Sequence, residues 1–147
     1  MPDPTVALRV SALRLLTRRD HSRAELKGKL AAKAESEEQL EAVLERLQSE
    51  HLLSDQRYAS QRALARGRRY GDARLKQELR QSGVSDEDIL AALPEAGDEV
   101  QRCQVVWARK FGQLPQSPAE RAKQMRFLQY RGFSGDAIRR VMRGVEE

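Results

Sequence analysis

The sequence predicts an all-α protein built as three tandem three-helix repeats, and three observations carry that expectation. The first is a period. Leu30, Leu79 and Leu128 stand 49 residues apart both times, and the same shift aligns Ser36 with Ser85 and Ser134, Leu40 with Ile89 and Ile138, and Leu44 with Leu93 and Met142. It also places Gly83 over Gly132, Val84 over Phe133, and Tyr58-Ala59 over Trp107-Ala108. The second is composition. Ala, Leu, Arg, Glu, Gln and Lys favour helix, whereas three Phe, three Tyr and one Trp in 147 residues are few for a β-sandwich. The third is that helix-opening signals recur at equivalent places in successive repeats. A period of this size marks a copied supersecondary unit. One copy is expected to leave its apolar face uncovered, so copies stack into an elongated array.

The elements follow in order. In the first unit, residues 1–54, Val6, Val10, Leu13 and Leu16 keep a helical spacing that stops at Arg18-Arg19-Asp20-His21. Ser22 with Glu25 forms a capping box that opens a second helix carrying Leu26 and Leu30. Ser36 with Gln39 opens a third, with Leu40, Val43, Leu44 and Leu47 as its stripe. The second unit, residues 55–97, starts with a helix bearing Tyr58, Ala59, Ala63 and Leu64 that ends near Gly67. Gly71-Asp72 opens the next, with Leu75 and Leu79 inward and Gly83 as a C′ residue of positive φ. Ser85 with Asp88 starts a short helix through Ile89, Leu90 and Leu93, stopped by Pro94, and 94–97 reads as a linker. In the third unit, residues 98–147, Val100, Cys103, Val106 and Trp107 mark a helix that breaks at Gly112 and Pro115. Ser117-Pro118 with Glu120 opens another, where proline at N1 lacks only an orphan N–H. Met125 and Leu128 face inward, Gly132 terminates, and Ser134 caps a last helix with Ile138, Val141 and Met142.

The net charge of +5 conceals a segregation. Residues 1–34 carry eight Lys/Arg against three Asp/Glu; 35–55 carry one against seven; 56–80, eight against two; 81–99, none against six; and the remainder, ten against four. Two arginine-rich runs recur at the junction of the first two helices of their units: Arg14, Arg18, Arg19, Arg23 and Lys27, then Arg62, Arg66, Arg68 and Arg69. Arg74, Arg131, Arg139 and Arg140 extend the basic set. One explanation is internal, with the basic helices of one unit paired to the acidic helix of the next, at roughly 0–1 kcal/mol per surface pair. The other is a basic stripe along an elongated body, facing a polyanion or an acidic protein surface.

Several classes of chemistry lack their residues. His21 and His51, near helix ends, read as surface or capping residues rather than general bases. Cys103 is the only cysteine, which excludes an intrachain disulfide, and its apolar spacing marks a core position. No H-E-x-x-H, Walker A, G-x-S-x-G or dinucleotide-binding glycine pattern occurs. Glu78, alone among basic neighbours, is explained as an i,i+4 partner of Arg74. No apolar run of about 18 residues and no basic-then-apolar leader is visible, which predicts a cytoplasmic protein with no membrane partner. No cofactor and no metal site are expected.

Several stretches resemble one family. Leu15-Leu16-x-Arg18-Arg19-x-x-Ser22-x-x-Glu25-Leu26-x-x-x-Leu30 is similar to the opening signature of the RecX family, regulators of the RecA recombinase. So are Leu53-x-Asp55-x-Arg57-Tyr58-Ala59, Tyr70-Gly71-x-x-Arg74-Leu75-x-x-Glu78-Leu79, and Leu128-x-x-Arg131-Gly132-Phe133-Ser134-x-x-x-Ile138. The resemblance spans nearly the whole chain in the right order. Ala34 departs from it, since the family commonly places glycine there, and this leaves the first unit's turn geometry open. The resemblance implies a curved, elongated molecule with a basic concave side that binds within the helical groove of the RecA–single-stranded DNA filament; a monomer is expected, though the sequence leaves the oligomeric state open. It implies reduced recombination, ATP hydrolysis and repressor co-cleavage, without chemistry of its own, and DNA contacted through the filament. The family supplies no catalytic residues; the basic stripe rests on charge clustering. The alternative is a helical protein that binds nucleic acid directly, which the acidic third helices oppose.

Overall fold

The computed structural model describes residues 3–143; the last four residues of the third unit lie outside them. Among the described residues there are nine α-helices and no strand. They are α1 (Pro4–Arg18), α2 (Arg23–Leu30), α3 (Glu37–Ser49), α4 (Asp55–Arg66), α5 (Asp72–Gln81), α6 (Asp86–Ala92), α7 (Glu99–Lys110), α8 (Pro118–Tyr130) and α9 (Gly135–Met142). No helix among them is long and apolar enough to cross a membrane.

Serine hydroxyls open most of these helices. Ser22, Ser36, Ser54, Ser85, Ser117 and Ser134 each accept from the backbone N–H three residues on, which satisfies one orphan donor per helix. Only Ser22 and Glu25 complete a capping box. Gln39 and Glu120 instead accept from Glu35 and Gln116, one residue before the cap.

Each unit holds its own apolar core. Leu26, Leu30, Leu44 and Leu47 anchor the first, Tyr58, Leu79 and Ile89 the second, and Cys103, Trp107, Leu128 and Ile138 the third. Leu30, Leu79 and Leu128 occupy equivalent buried sites, at most 2% exposed. The expectation that a unit cannot bury its apolar face alone is therefore corrected. Three helices close a small core, and what joins successive units is polar.

That joint has a repeated design. The second helices meet end to end: Ser22 at the start of α2 donates its hydroxyl to the Ser82 carbonyl at the end of α5 (2.6 Å). At the start of α5, Gly71 N–H and Ala73 N–H donate to the Arg131 and Gly132 carbonyls at the end of α8 (2.9 and 3.2 Å). At the second joint backbone donors at one helix start thus meet backbone acceptors at another helix end, and at the first joint a serine hydroxyl takes the donor's place. Gly83 (φ 83°) and Gly132 (φ 89°) make the approach possible, because a Cβ at either would collide with Ala24 or Arg74 of the abutting helix. Ala34 needs no such licence. The end of α2 is the free end of this line, and the chain leaves it through a 3₁₀ turn with Ala34 at φ −79°.

Carboxylates complete both joints. Asp55, first residue of α4, accepts from Arg23 N–H at the start of α2 (2.6 Å). Glu99, first residue of α7, accepts from Asp72 N–H at the start of α5 (3.0 Å) and from Ser134 N–H before α9 (3.1 Å). The 49-residue register holds for second and third helices, but α4 and α7 begin only 44 residues apart. Tyr58, Ala59 and Ala63 are thus equivalent to Arg102, Cys103 and Trp107. The alignment of Tyr58-Ala59 with Trp107-Ala108 fails, since Ala59 is buried and Ala108 exposed. A longer connection over 111–117 and three extra residues in α8 absorb the difference; Gln124 fastens them by accepting from Trp107 Nε1 (2.8 Å) and donating to the Gln113 carbonyl.

Other expectations shift with packing. On α1, Leu8 and Ala12 are buried, whereas Val6 and Val10 are 54% and 41% exposed. Leu64 and Leu90 also face solvent. Residues 93–96 form an ordered 3₁₀ turn packed on α4, with Ala96 against Gly67, rather than a free linker.

Replacing Leu79 by alanine should destabilise the protein by about 2–5 kcal/mol in urea unfolding, the cost of a core cavity. Gly83→Ala should cost more than about 1 kcal/mol from left-handed backbone alone. Adding Ala24→Gly should recover the collision part of that loss, read in a double-mutant cycle.

Candidate nucleic-acid interface

The thirteen basic residues predicted from charge clustering fall into two groups. Seven are engaged by carboxylates. Arg19 pairs with Glu25 (2.6 Å), Arg23 with Glu41 and Glu45 (2.5 and 3.2 Å), and Lys27 with Glu37 and Glu41 (3.2 and 2.6 Å). Arg62, Arg66 and Arg74 converge on Glu78 (4.0, 2.7 and 3.2 Å), and Arg140 pairs with Asp136. The remaining six, Arg14, Arg18, Arg68, Arg69, Arg131 and Arg139, have no ion pair among the described residues. The expected pairing of one unit's basic helices with the next unit's acidic helix is not what forms: α2 pairs with α3 of its own unit. The acidic α6 engages only through Arg80 and Asp86, both exposed.

Of these six, Arg14 and Arg18 stand on α1 and Arg139 on α9, whereas Arg68, Arg69 and Arg131 gather at the junction of the second and third units. Arg102, 9% exposed, forms its floor. Its guanidinium donates to the carbonyls of Tyr70 (2.8 Å), Gly67 (3.3 Å) and Gly97 (3.2 Å), and it pairs with Asp72. A buried guanidinium is tolerated only with its donors occupied, and here they tie the end of α4 and the start of α5 to α7. Two adjoining hollows of about 490 and 310 Å3 lie at this junction, and Arg102 lines the first of them. Both are lined by Arg68, Arg69 and Arg109; the first adds Asp98 and Gln101, the second Lys110, Phe127 and Arg131.

An aromatic centre braces the second hollow. The Tyr70 ring carries the guanidiniums of Arg66, Arg74 and Arg131 at 4.5, 4.4 and 5.4 Å from its centroid. Arg131 also lies over Phe127 (5.1 Å) and donates to the Arg69 carbonyl (3.2 Å). Three cations can crowd one ring partly because Glu78, shared by two of them, offsets one of the three charges. Arg66 grips both its oxygens, at 3.0 and 2.7 Å, and Arg74 adds a third bond. Glu78 is therefore more than the i,i+4 partner of Arg74; its principal partner is Arg66.

Arg102, Arg109, Lys110 and Glu99 were not singled out from the sequence, and Tyr70 entered only within the family resemblance. Arg109-Lys110 was visible as a basic pair at a helix end, but nothing local showed that it faces Arg68-Arg69. His21 is corrected too. It is 2% exposed, and a neutral ring satisfies both neighbours: Nδ1–H donates to the Arg19 carbonyl (3.1 Å) and Nε2 accepts from Lys29 (3.0 Å). Burial holds its pKa below the ordinary value. His51 is exposed at the end of α3, with φ 63°. Burial pushes the Cys103 thiol up to about 12. Among the described residues no cluster of His, Cys, Asp and Glu is placed to hold a metal ion.

The Arg66 hydrogen bonds, opposed by burial and helped by Arg74, hold the Glu78 carboxyl below its ordinary value of 4.5. A carboxyl depressed in the folded state stabilises fully above its unfolded pKa, and the benefit vanishes as pH falls through the folded value. Glu78→Gln should therefore cost about 1–2 kcal/mol at pH 7. The gap between variant and parent in urea unfolding should close as the pH drops below 4.5.

Comparison with known proteins matches the three units to one family. Residues 9–47 match the first three-helix domain of RecX, 54–93 the second and 97–142 the third. The regulatory protein RecX of Ralstonia nicotianae is 42% identical, over 99% of this chain and 92% of its own. That of Pseudomonas putida is 47% identical, over 97% and 93%. The crystal structure of RecX from Lactobacillus salivarius shares the fold at a TM-score of 0.85 and 21% identity, covering 97% of both chains. With all three units matched in order, the chain belongs to the RecX family of regulatory proteins.

Proposed function

We propose that this protein inhibits the RecA recombinase by lying in the helical groove of the RecA–single-stranded DNA filament, limiting recombination, ATP hydrolysis and co-protease activity. The observation that carries this reading is the match to the RecX regulators across three units in order, rather than to one isolated unit. The polar joints support it. Directional hydrogen bonds at both junctions fix the relative orientation of the units, as a ligand spanning several protomers of a helical filament requires. On this reading the protein acts as a cytoplasmic monomer, and its contacts use the cations not held by carboxylates: Arg14, Arg18, Arg68, Arg69, Arg131 and Arg139. The paired cations, Arg66 above all, shape the surface instead. Binding of this kind needs no covalent chemistry.

Direct nucleic-acid binding is the second reading, favoured by the arginine-lined hollows at the junction of the second and third units. The two separate in one titration. Added below the RecA concentration, the protein should suppress DNA-dependent ATP hydrolysis and strand exchange, with affinity for the filament far above that for bare DNA. Unchanged hydrolysis and exchange at equimolar protein would overturn the proposal, and suppression only at amounts that coat the DNA would favour direct binding.

A further inference from the structure

The joint between the second and third units carries more positive charge than its own architecture consumes. Arg68, Arg69 and Arg109 line both hollows there and are exposed, with no carboxylate within ion-pair distance among the described residues. The acid beside them, Asp98, is already committed, accepting from Val100 and Gln101 N–H at the start of α7. Lys110 stands over the Phe127 ring at 5.3 Å, so it too presents a charge that no acid neutralises. Next to Arg131 in sequence, Tyr130 is 82% exposed, the most exposed large hydrophobic side chain among those described. It borders a further hollow of about 430 Å3 with Arg74, Gln77, Glu78 and Gln81, in which the Glu78 carboxylate is already held by Arg66 and Arg74. Arg74 and Arg131 stack on the same Tyr70 ring, so this hollow and the arginine-lined ones flank a single aromatic centre.

From this arrangement we infer that the junction groove binds the backbone of a single-stranded nucleic acid, with Arg68, Arg69, Arg109 and Lys110 on successive phosphates and Tyr130 stacked on a base. Guanidinium forks fit phosphate oxygens two at a time, and a groove of cations ending at an open ring is the arrangement that single strands require. An acidic protein segment would satisfy the cations but leave the ring and the amides of Gln77 and Gln81 without a role. A duplex would hide the base faces from Tyr130. The inference deepens the filament reading and rests on it for its setting: the strand, rather than the recombinase's own side chains, is what this groove touches.

The test is fluorescence anisotropy of a labelled oligothymidine of about 16 nucleotides, near the upper site size of comparable single-strand binders, with the full chain across a salt series. Arg68→Ala/Arg69→Ala and Arg109→Ala/Lys110→Ala should each weaken binding at least tenfold. Each should also reduce the slope of log K against log salt by about 1.4, two phosphates at about 0.7 apiece. Tyr130→Ala should weaken binding about tenfold with the slope unchanged. Lys33→Ala/Arg46→Ala, which removes two exposed cations of the first unit, should stay within twofold, and all variants should melt with the parent. An equal loss from that control pair, no binding by the parent at low salt, or a duplex of the same length bound as tightly would overturn the inference. A parent that inhibits RecA but binds no strand removes the groove and keeps the filament reading; a parent that binds the strand but leaves RecA untouched does the reverse.

Discussion

The end-to-end docking of the second helices is the constraint on which the rest depends. A helix start exposes unpaired N–H groups and a helix end exposes unpaired carbonyls. In this chain each internal end is satisfied by the neighbouring unit: Ser22 on the Ser82 carbonyl, and Gly71 and Ala73 on the carbonyls of Arg131 and Gly132. That contact requires backbone within reach of backbone, which a side chain at Gly83 or Gly132 would prevent. At the end of α2, where no other second helix docks among the described residues, Ala34 has a negative φ and needs no glycine. The acids that open α4 and α7 belong to the same constraint, since Asp55 and Glu99 each reach a helix start in the preceding unit.

A consequence concerns how rigidity is distributed. Apolar burial is non-directional, and here it is spent inside each unit, on cores that do not cross the joints. Orientation between units is left to hydrogen bonds and ion pairs, which are directional. The first joint uses Arg57 on Asp20 (2.9 Å) and the shared contacts of Ser22, Ser82 and Tyr58. The second uses Arg102, bonded to three carbonyls and one carboxylate. The buried position that Tyr58 fills in α4 is filled by a charged residue in α7. The second joint therefore buries a guanidinium where the first buries a ring, and its surroundings hold three of the uncommitted arginines.

Much of the fold was legible because its signals are local. The period survives in Leu30, Leu79 and Leu128, which occupy the same buried site in each unit, and serine caps mark helix starts whatever the tertiary context. The errors arise where context decides. Val6 and Val10 repeat at helical spacing as well as Leu8 and Ala12 do, and only packing against α3 selects between them. Leu64 adjoins the buried Ala63 but sits on the outer side of α4. A single shift of 49 misaligns the first helices because α8 and its leading loop are longer in the third unit. His21 lies in a polar run, so its burial depends on Lys29 and the Arg19 carbonyl, both invisible to composition.

The binding face was half legible for a related reason. Clustered arginines in a sequence are a count of charge, whereas a free surface charge is a count of what remains after internal pairing. Arg66 and Arg68 stand two residues apart in one basic run, yet their fates are opposite. Arg66 lies along α4 facing α5, where Glu78 takes both its prongs; Arg68 follows the helix end and turns to the junction groove. The pairing does not remove Arg66 from function. By offsetting one of the three guanidinium charges on the Tyr70 ring, which Arg66 and Arg74 share, Glu78 lets Arg131 approach the same ring against less repulsion of like charges, and Arg131 is the one left without an acid. One carboxylate thus determines which arginine of the cluster faces outward uncompensated. Charge in this protein is allocated by geometry at the joint, and the surface available to a polyanion is what the joint leaves over.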